Sequence, residues 1–94
     1  MLIKHIRHFL TPAGMDYFPA WVSQLQAHIQ AVEGFSHLHY GISEQNPNQR
    51  QLLLYFSNQS GLSHWIKNPV HEQLLQDIEQ YSTCDWQMET YLVK

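Results

Sequence analysis

Apolar and polar positions change period several times along this chain, and those changes divide it into six segments. Residues 2–10 are rich in β-branched and aromatic types and too short for a helix, which predicts a strand. Thr11 followed by Pro12 predicts an N-cap and a first-turn proline, with a start nearer Asp16 as the alternative that keeps Pro19 in the first turn. Phe18, Trp21, Val22, Leu25, Ile29 and Val32 then recur at spacings of three and four, one stripe of an amphipathic helix. Gly34 follows, where a left-handed C-cap is expected. Residues 35–44 alternate as a strand, with Ser36, Leu38, Tyr40 and Ile42 on one face and Phe35, His37, His39 and Gly41 on the other. Asn46-Pro47-Asn48 is the turn out of it. Residues 51–57 read as a strand with apolar side chains on both faces. Ser60-Gly61 opens a second helix carrying Leu62, Trp65 and Ile66, broken or restarted at Asn68-Pro69 and continued by Val70, Leu74, Leu75 and Ile78. Residues 84–93 alternate again, Trp86, Met88, Thr90 and Leu92 against Gln87, Glu89, Tyr91 and Val93.

The order βαββαβ predicts a single α+β domain of the ferredoxin-like class over residues 1–94: a four-stranded antiparallel sheet with two helices on one face. Helices cover one face only, yet residues 52–56 are apolar on both sides and Phe35 sits opposite Leu38, Tyr40 and Ile42. A second copy of the same sheet is the simplest cover, so an isologous homodimer is expected, burying on the order of 2,000 Å² in total.

Composition narrows the function. Five Lys and Arg against 8 Asp and Glu leave a formal charge of -3, which excludes a basic footprint for nucleic acid. No apolar run approaches the ~20 residues of a membrane helix, and no secretory signal is expected at the N-terminus. The single cysteine, Cys84, has no partner for an internal disulfide and points to a reducing cytoplasm. Gly-rich phosphate loops, CxxC, HExxH and GxSxG patterns do not occur, which removes nucleotide, zinc-ribbon, zincin and α/β-hydrolase chemistry.

The first strand, the Thr11-Pro12-Ala13-Gly14 turn, the helix with Phe18 and Trp21, and Val32-Glu33-Gly34-Phe35 resemble the first half of an antibiotic biosynthesis monooxygenase domain. Tyr55-Phe56-Ser57, the helix opening Ser60-Gly61-Leu62-Ser63-His64-Trp65 and Pro69-Val70-His71 resemble its second half, including a tryptophan followed after a small gap by a histidine. The resemblance implies a dimeric α+β barrel with a pocket in each subunit between sheet and helices. It further implies one of three functions: oxygenation of a small aromatic or quinol-like substrate with neither metal nor flavin, ligand binding or sensing without catalysis, or haem binding and degradation. The haem-cleaving branch uses an asparagine in the first strand, a tryptophan and a histidine. Trp65 and His71 correspond, but the polar residues of this first strand are Lys4, His5, Arg7 and His8.

On this resemblance His71 is the candidate proton acceptor and Trp65 the pocket wall, since an imidazole titrates near neutral pH. His37 and His39, two apart on a strand and pointing the same way, are candidate pocket residues and rivals to His71. Two neutral ligands make an incomplete metal site, so no metal is assigned to them. Tyr55 and Trp86 are further candidates for the pocket lining, and Arg7 is the basic fork that would hold an acidic group of the substrate. Cys84 has no neighbour that would lower its pKa and is not a candidate nucleophile.

Overall fold

A computed structural model describes residues 1–93. Strand β1 (Leu2–Phe9) lies inside the sheet, paired along its whole length on one side and over Leu2–Arg7 on the other. Helix α1 (Pro12–Ile29) follows, then β2 (Phe35–Ile42), β3 (Gln49–Phe56), α2 (Gln59–Lys67), α3 (Pro69–Glu79) and β4 (Gln87–Leu92). The sheet runs β2-β3-β1-β4, every pair antiparallel. This is the ferredoxin-like α+β architecture that the segment order predicts, with the second helix divided in two.

Helix α1 starts where the earlier of the two expected positions puts it. The Thr11 hydroxyl accepts from the Gly14 amide at 3.2 Å, and Pro12 occupies the first turn, where its missing N–H costs nothing. Pro19 therefore lies inside the helix rather than in its first turn. The expected stripe is buried from Phe18 to Ile29, but the helix ends at Ile29 and not beside Gly34. Gly34 serves instead in the turn that leads into β2, at φ +94, a conformation glycine adopts without strain. Asn58, not Ser60, caps α2, its side-chain oxygen accepting from the Gly61 amide at 2.9 Å. Asn68 ends α2 and caps α3 at once: its backbone is extended, as the following proline requires, and its side chain accepts from the Val70 amide at 2.9 Å. The turns at Gly34 and Gly61 pack backbone to backbone, and a Cβ at Gly61 would stand 2.9 Å from the Glu33 carbonyl oxygen.

The core lies between the helices and one face of the sheet. Phe18, Trp21 and Ile29 of α1, Trp65 of α2 and Ile78 of α3 meet Leu52, Leu54 and Phe56 of β3. The Trp21 indole N–H donates to the Leu74 carbonyl at 2.8 Å, tying α1 to α3. The helices cover the centre of the sheet only. On the edge strands Tyr40, Ile42, Met88 and Leu92 remain exposed.

The outer face of the sheet differs from the expectation in one respect. A bulge between Phe35 and His37 leaves Ser36 without a pairing position, so Phe35 pairs with Phe56 while His37 pairs with Tyr55. Phe35 thereby turns toward the core, its ring edge-on to Phe56 at 5.7 Å. The outer face of β2 then carries His37, His39 and Gly41, not an aromatic. Ile3, Phe9, Leu53 and Tyr55 are its half-exposed apolar residues on the central strands, beside His5, Arg7 and Gln51. It is a mixed surface and not a wholly apolar one.

Candidate functional site

A cavity of about 20 Å³ sits between the sheet and the helices, room for roughly one water molecule. Its walls are Trp21 and Leu25 of α1, Ile6, Leu52 and Leu54 of the central strands, Trp65 of α2, and Leu74 and Leu75 of α3. Three basic side chains enter this apolar space: Lys4 and His8 from β1 and His71 from α3. The period of the strand brings the first two inward. Leu2, Lys4, Ile6 and His8 share the face that the helices cover. His71 stands in the first turn of α3, directly after the Asn68-Pro69 break, which turns its ring edge-on to Trp65 at 5.4 Å.

Burial sets the chemistry of all three. His8 is 0% exposed, and neither ring nitrogen has a hydrogen-bond partner among the described residues. Trp21 meets it edge-on at 5.4 Å, with Phe18 at 6.0 Å and Trp86 at 6.4 Å. Loss of hydration pushes its pKa down from 6.5 to about 4, so the ring is neutral at physiological pH. Lys4 is 6% exposed, and burial lowers its pKa as well. The ion pair recorded among the described residues, Arg7 with Glu89 at 3.4 Å, does not involve it. His71 is held below the ordinary histidine value first by burial and then by the Lys4 charge, with Glu72 acting in the opposite sense. A neutral imidazole can accept a proton from a bound acid, and a buried ammonium near it can stabilise the anion that forms.

Solved structures share this arrangement of elements. A Deinococcus radiodurans protein named for the antibiotic biosynthesis monooxygenases superposes at a TM-score of 0.88, covering 100% of this chain and 93% of its own, at 11% identity. An antibiotic biosynthesis monooxygenase superposes at 0.84 over 100% of this chain and 99% of its own, at 12% identity. The fold is that of the antibiotic biosynthesis monooxygenases. A variant of SnoaB, a cofactor-independent oxygenase from Streptomyces nogalater, carries the antibiotic biosynthesis monooxygenase fold too, at a TM-score of 0.85 and 11% identity, over 99% of this chain and 92% of its own. No protein-family profile and no curated protein sequence matches the chain.

Within this fold the sequence candidates fall in three places. His71 and Trp65 meet at the cavity. Trp86 packs at the margin of the core and approaches His8 from outside the cavity lining. His37, His39, Tyr55 and Arg7 belong to the opposite face of the sheet, so the single pocket expected from sequence does not include them. The reason is strand parity: Arg7 is odd where Lys4 and His8 are even, and Tyr55 alternates with the buried Leu54 and Phe56. Arg7 engages Glu89 on that outer face. Lys4 and His8 were legible only as polar residues of the first strand. Their signal was the shared parity with Leu2 and Ile6. His64 is exposed and lines a surface groove with Glu33, Asn58 and Ser60, apart from His71. Cys84 is exposed beside a second surface groove, of about 390 Å³, with Asp85 and Trp86. Among the described residues no helix is long and apolar enough to cross a membrane.

Proposed function

We propose that this chain is a cofactor-independent oxygenase of the antibiotic biosynthesis monooxygenase type, acting on a small aromatic or quinol-like substrate in the cavity between sheet and helices. One observation carries this reading: three basic groups converge in an otherwise apolar space, and the most buried of them, His8, has no partner among the described residues. A fold does not bury unsatisfied polar atoms without cost, at about 1–3 kcal/mol each, so a ligand that pairs with them gains what the protein leaves unpaired.

The chemistry follows from the protonation states. His71, neutral near pH 7, takes a proton from an acidic O–H or activated C–H of the substrate. The Lys4 ammonium stabilises the resulting anion. That electron-rich anion reduces dioxygen directly. For an activated methylene the balance is CH₂ + O₂ → C=O + H₂O, with one oxygen atom kept and the other leaving as water. A one-ring substrate needs a space of roughly 150 Å³, far more than the cavity offers, so it enters only as the half-exposed His71 and Leu75 at the mouth swing outward. A haem would require the helices themselves to part. The small volume also favours a second reading, a barrel that binds a small hydrophobic ligand and does no chemistry. In either case the half-exposed Ile3, Leu53 and Tyr55 on the outer face support a homodimer formed across it.

Oxygen uptake with a panel of hydroquinones and anthrones tests the proposal. The wild type is expected to consume oxygen with at least one of them. His71→Ala should lower kcat/KM by about 10²–10⁴-fold, the usual contribution of a positioned base, and Trp65→Phe by less. Binding of panel compounds without any oxygen uptake would replace this reading with the second.

A further inference from the structure

We propose that Lys4 is a nucleophilic amine that captures a small aldehyde as a Schiff base in the cavity between sheet and helices, with His71 as its proton carrier. The cavity is the one described above, but this use of it does not rest on the oxygenase reading. That reading employs the ammonium form of Lys4, and this one its free base. A lysine is almost never fully buried unless a carboxylate pairs with it. Lys4 is 6% exposed, and none of the side chains beside it on the sheet is acidic. Its cross-strand partners are Leu54 and Thr90, and Leu2 and Ile6 flank it on the same face of β1. Glu89 of β4 lies on the opposite face with Arg7, and Glu72 is exposed on α3. The titratable groups that share the cavity with Lys4 are His8 and His71, both bases. Its charged form is therefore desolvated without compensation, which lowers its pKa. Such an amine keeps a larger share of free base near neutral pH than an exposed lysine, and the free base is the nucleophile.

The space suits a small carbonyl compound. Addition leaves the alkyl remainder of the aldehyde on nitrogen and releases the oxygen as water. A cavity of about 20 Å³ then has to hold little more than a methyl group, about what one water occupies. Leu54, Trp65 and Leu74 give that remainder apolar walls and keep bulk water from hydrolysing the imine. The Lys4 Nζ lone pair attacks the carbonyl carbon, and the C–N bond forms as the C=O π pair moves to oxygen. His71 is held in its neutral form, so it can take a proton from nitrogen and return it to that oxygen. The Lys4 charge acts on His71, and a single water of the size the cavity admits can carry the proton between them. Both amine protons end on the oxygen, which leaves as water when the C–O bond breaks: R–CHO + H₂N–Lys → R–CH=N–Lys + H₂O. Nothing is oxidised or reduced in this step.

Reductive trapping tests the proposal. The purified protein is treated with acetaldehyde and cyanoborohydride at about pH 6.5, without dioxygen, and peptide mapping with fragmentation scores Lys4 apart from the N-terminal amine. Lys4 is expected to acquire an ethyl group at least about tenfold faster than Lys67 and Lys94. Its rate should saturate as acetaldehyde is raised, while theirs rise in proportion. In guanidinium the preference should vanish, since the fold creates it. These readouts use the wild type and need no variant to fold. His71→Gln keeps the bulk of the side chain but not the proton transfer, and should slow labelling of Lys4 by about 10²-fold without changing that of Lys67. Labelling of Lys4 no faster than of Lys67 and Lys94, a rate that does not saturate, a preference that survives guanidinium, or an undiminished rate in His71→Gln would each overturn the proposal. With neither quinol nor dioxygen present, such a failure leaves the oxygenase reading standing, and a lack of oxygen uptake leaves this one.

Discussion

Replacing His8 by leucine should remove an acid sensitivity built into the core. The imidazole is fully buried and unpaired, and its pKa falls from 6.5 to about 4. Between those values the unfolded chain takes up a proton that the folded chain refuses. The folded state is therefore favoured above about pH 6.5 and loses stability as pH falls toward 4. The full difference, 6.5 minus 4 at about 1.4 kcal/mol per pH interval, is roughly 3 kcal/mol, of which about 2 kcal/mol is already lost at about pH 5. Because no part of the ring touches solvent, screening does not reduce this figure. His71, also lowered, shifts stability in the same direction but remains in the variant, so comparison with His8→Leu isolates His8. Guanidinium unfolding at about pH 7.5 and about pH 5 measures the effect. The wild type should lose about 2 kcal/mol more than the variant over that interval, with unchanged m-values. The variant should also be the more stable at the higher pH, since leucine leaves no unsatisfied ring nitrogen behind. Pairs of curves that fall in parallel, within ~0.5 kcal/mol, would mean that His8 is solvated or hydrogen-bonded in solution, and the account of its burial would fail.

Two further outcomes are expected. Gly61→Ala should lower the thermal midpoint by an amount equivalent to about 1–3 kcal/mol, because its Cβ would meet backbone atoms of Glu33 and Gly34 at 2.9 and 3.0 Å and neither can rotate away; an unchanged midpoint would show that the two turns do not pack as described. Leu53→Lys should convert a wild-type dimer to a monomer in sedimentation velocity at micromolar concentration, since the residue sits on a central strand of the outer face, and a monomeric wild type would dispose of the dimer itself.

The element order was readable because each segment's period agrees with its caps. Thr11-Pro12 and Asn68-Pro69 fix helix boundaries chemically, and the stripe from Phe18 to Ile29 leaves no rival pattern. What sequence did not reveal depends on parity and on distance along the chain. Alternation placed His37 with His39 on one face of their strand and Tyr55 with Leu53 on one face of theirs, but gave no sign which of those faces met the helices. Pairing with β1 decides it, and that contact joins residues about fifty positions apart. Lys4 and His8 were passed over because a charged residue on a short strand ordinarily faces water, and only burial among Trp21, Trp65 and Leu52 makes them chemically notable. The displacement of Phe35 toward the core was hidden for a different reason: a bulge inserts one residue without any change in composition to announce it.

That surplus serine has a bearing on how relatives of this chain should be aligned. Losing its codon would leave every cross-strand partner where it is, since Phe35 already faces Phe56 and His37 already faces Tyr55. A one-residue gap at this point in a homologue would accordingly signal the loss of the serine hydroxyl that lies 2.9 Å from Nδ1 of His37, rather than a missing or slipped strand.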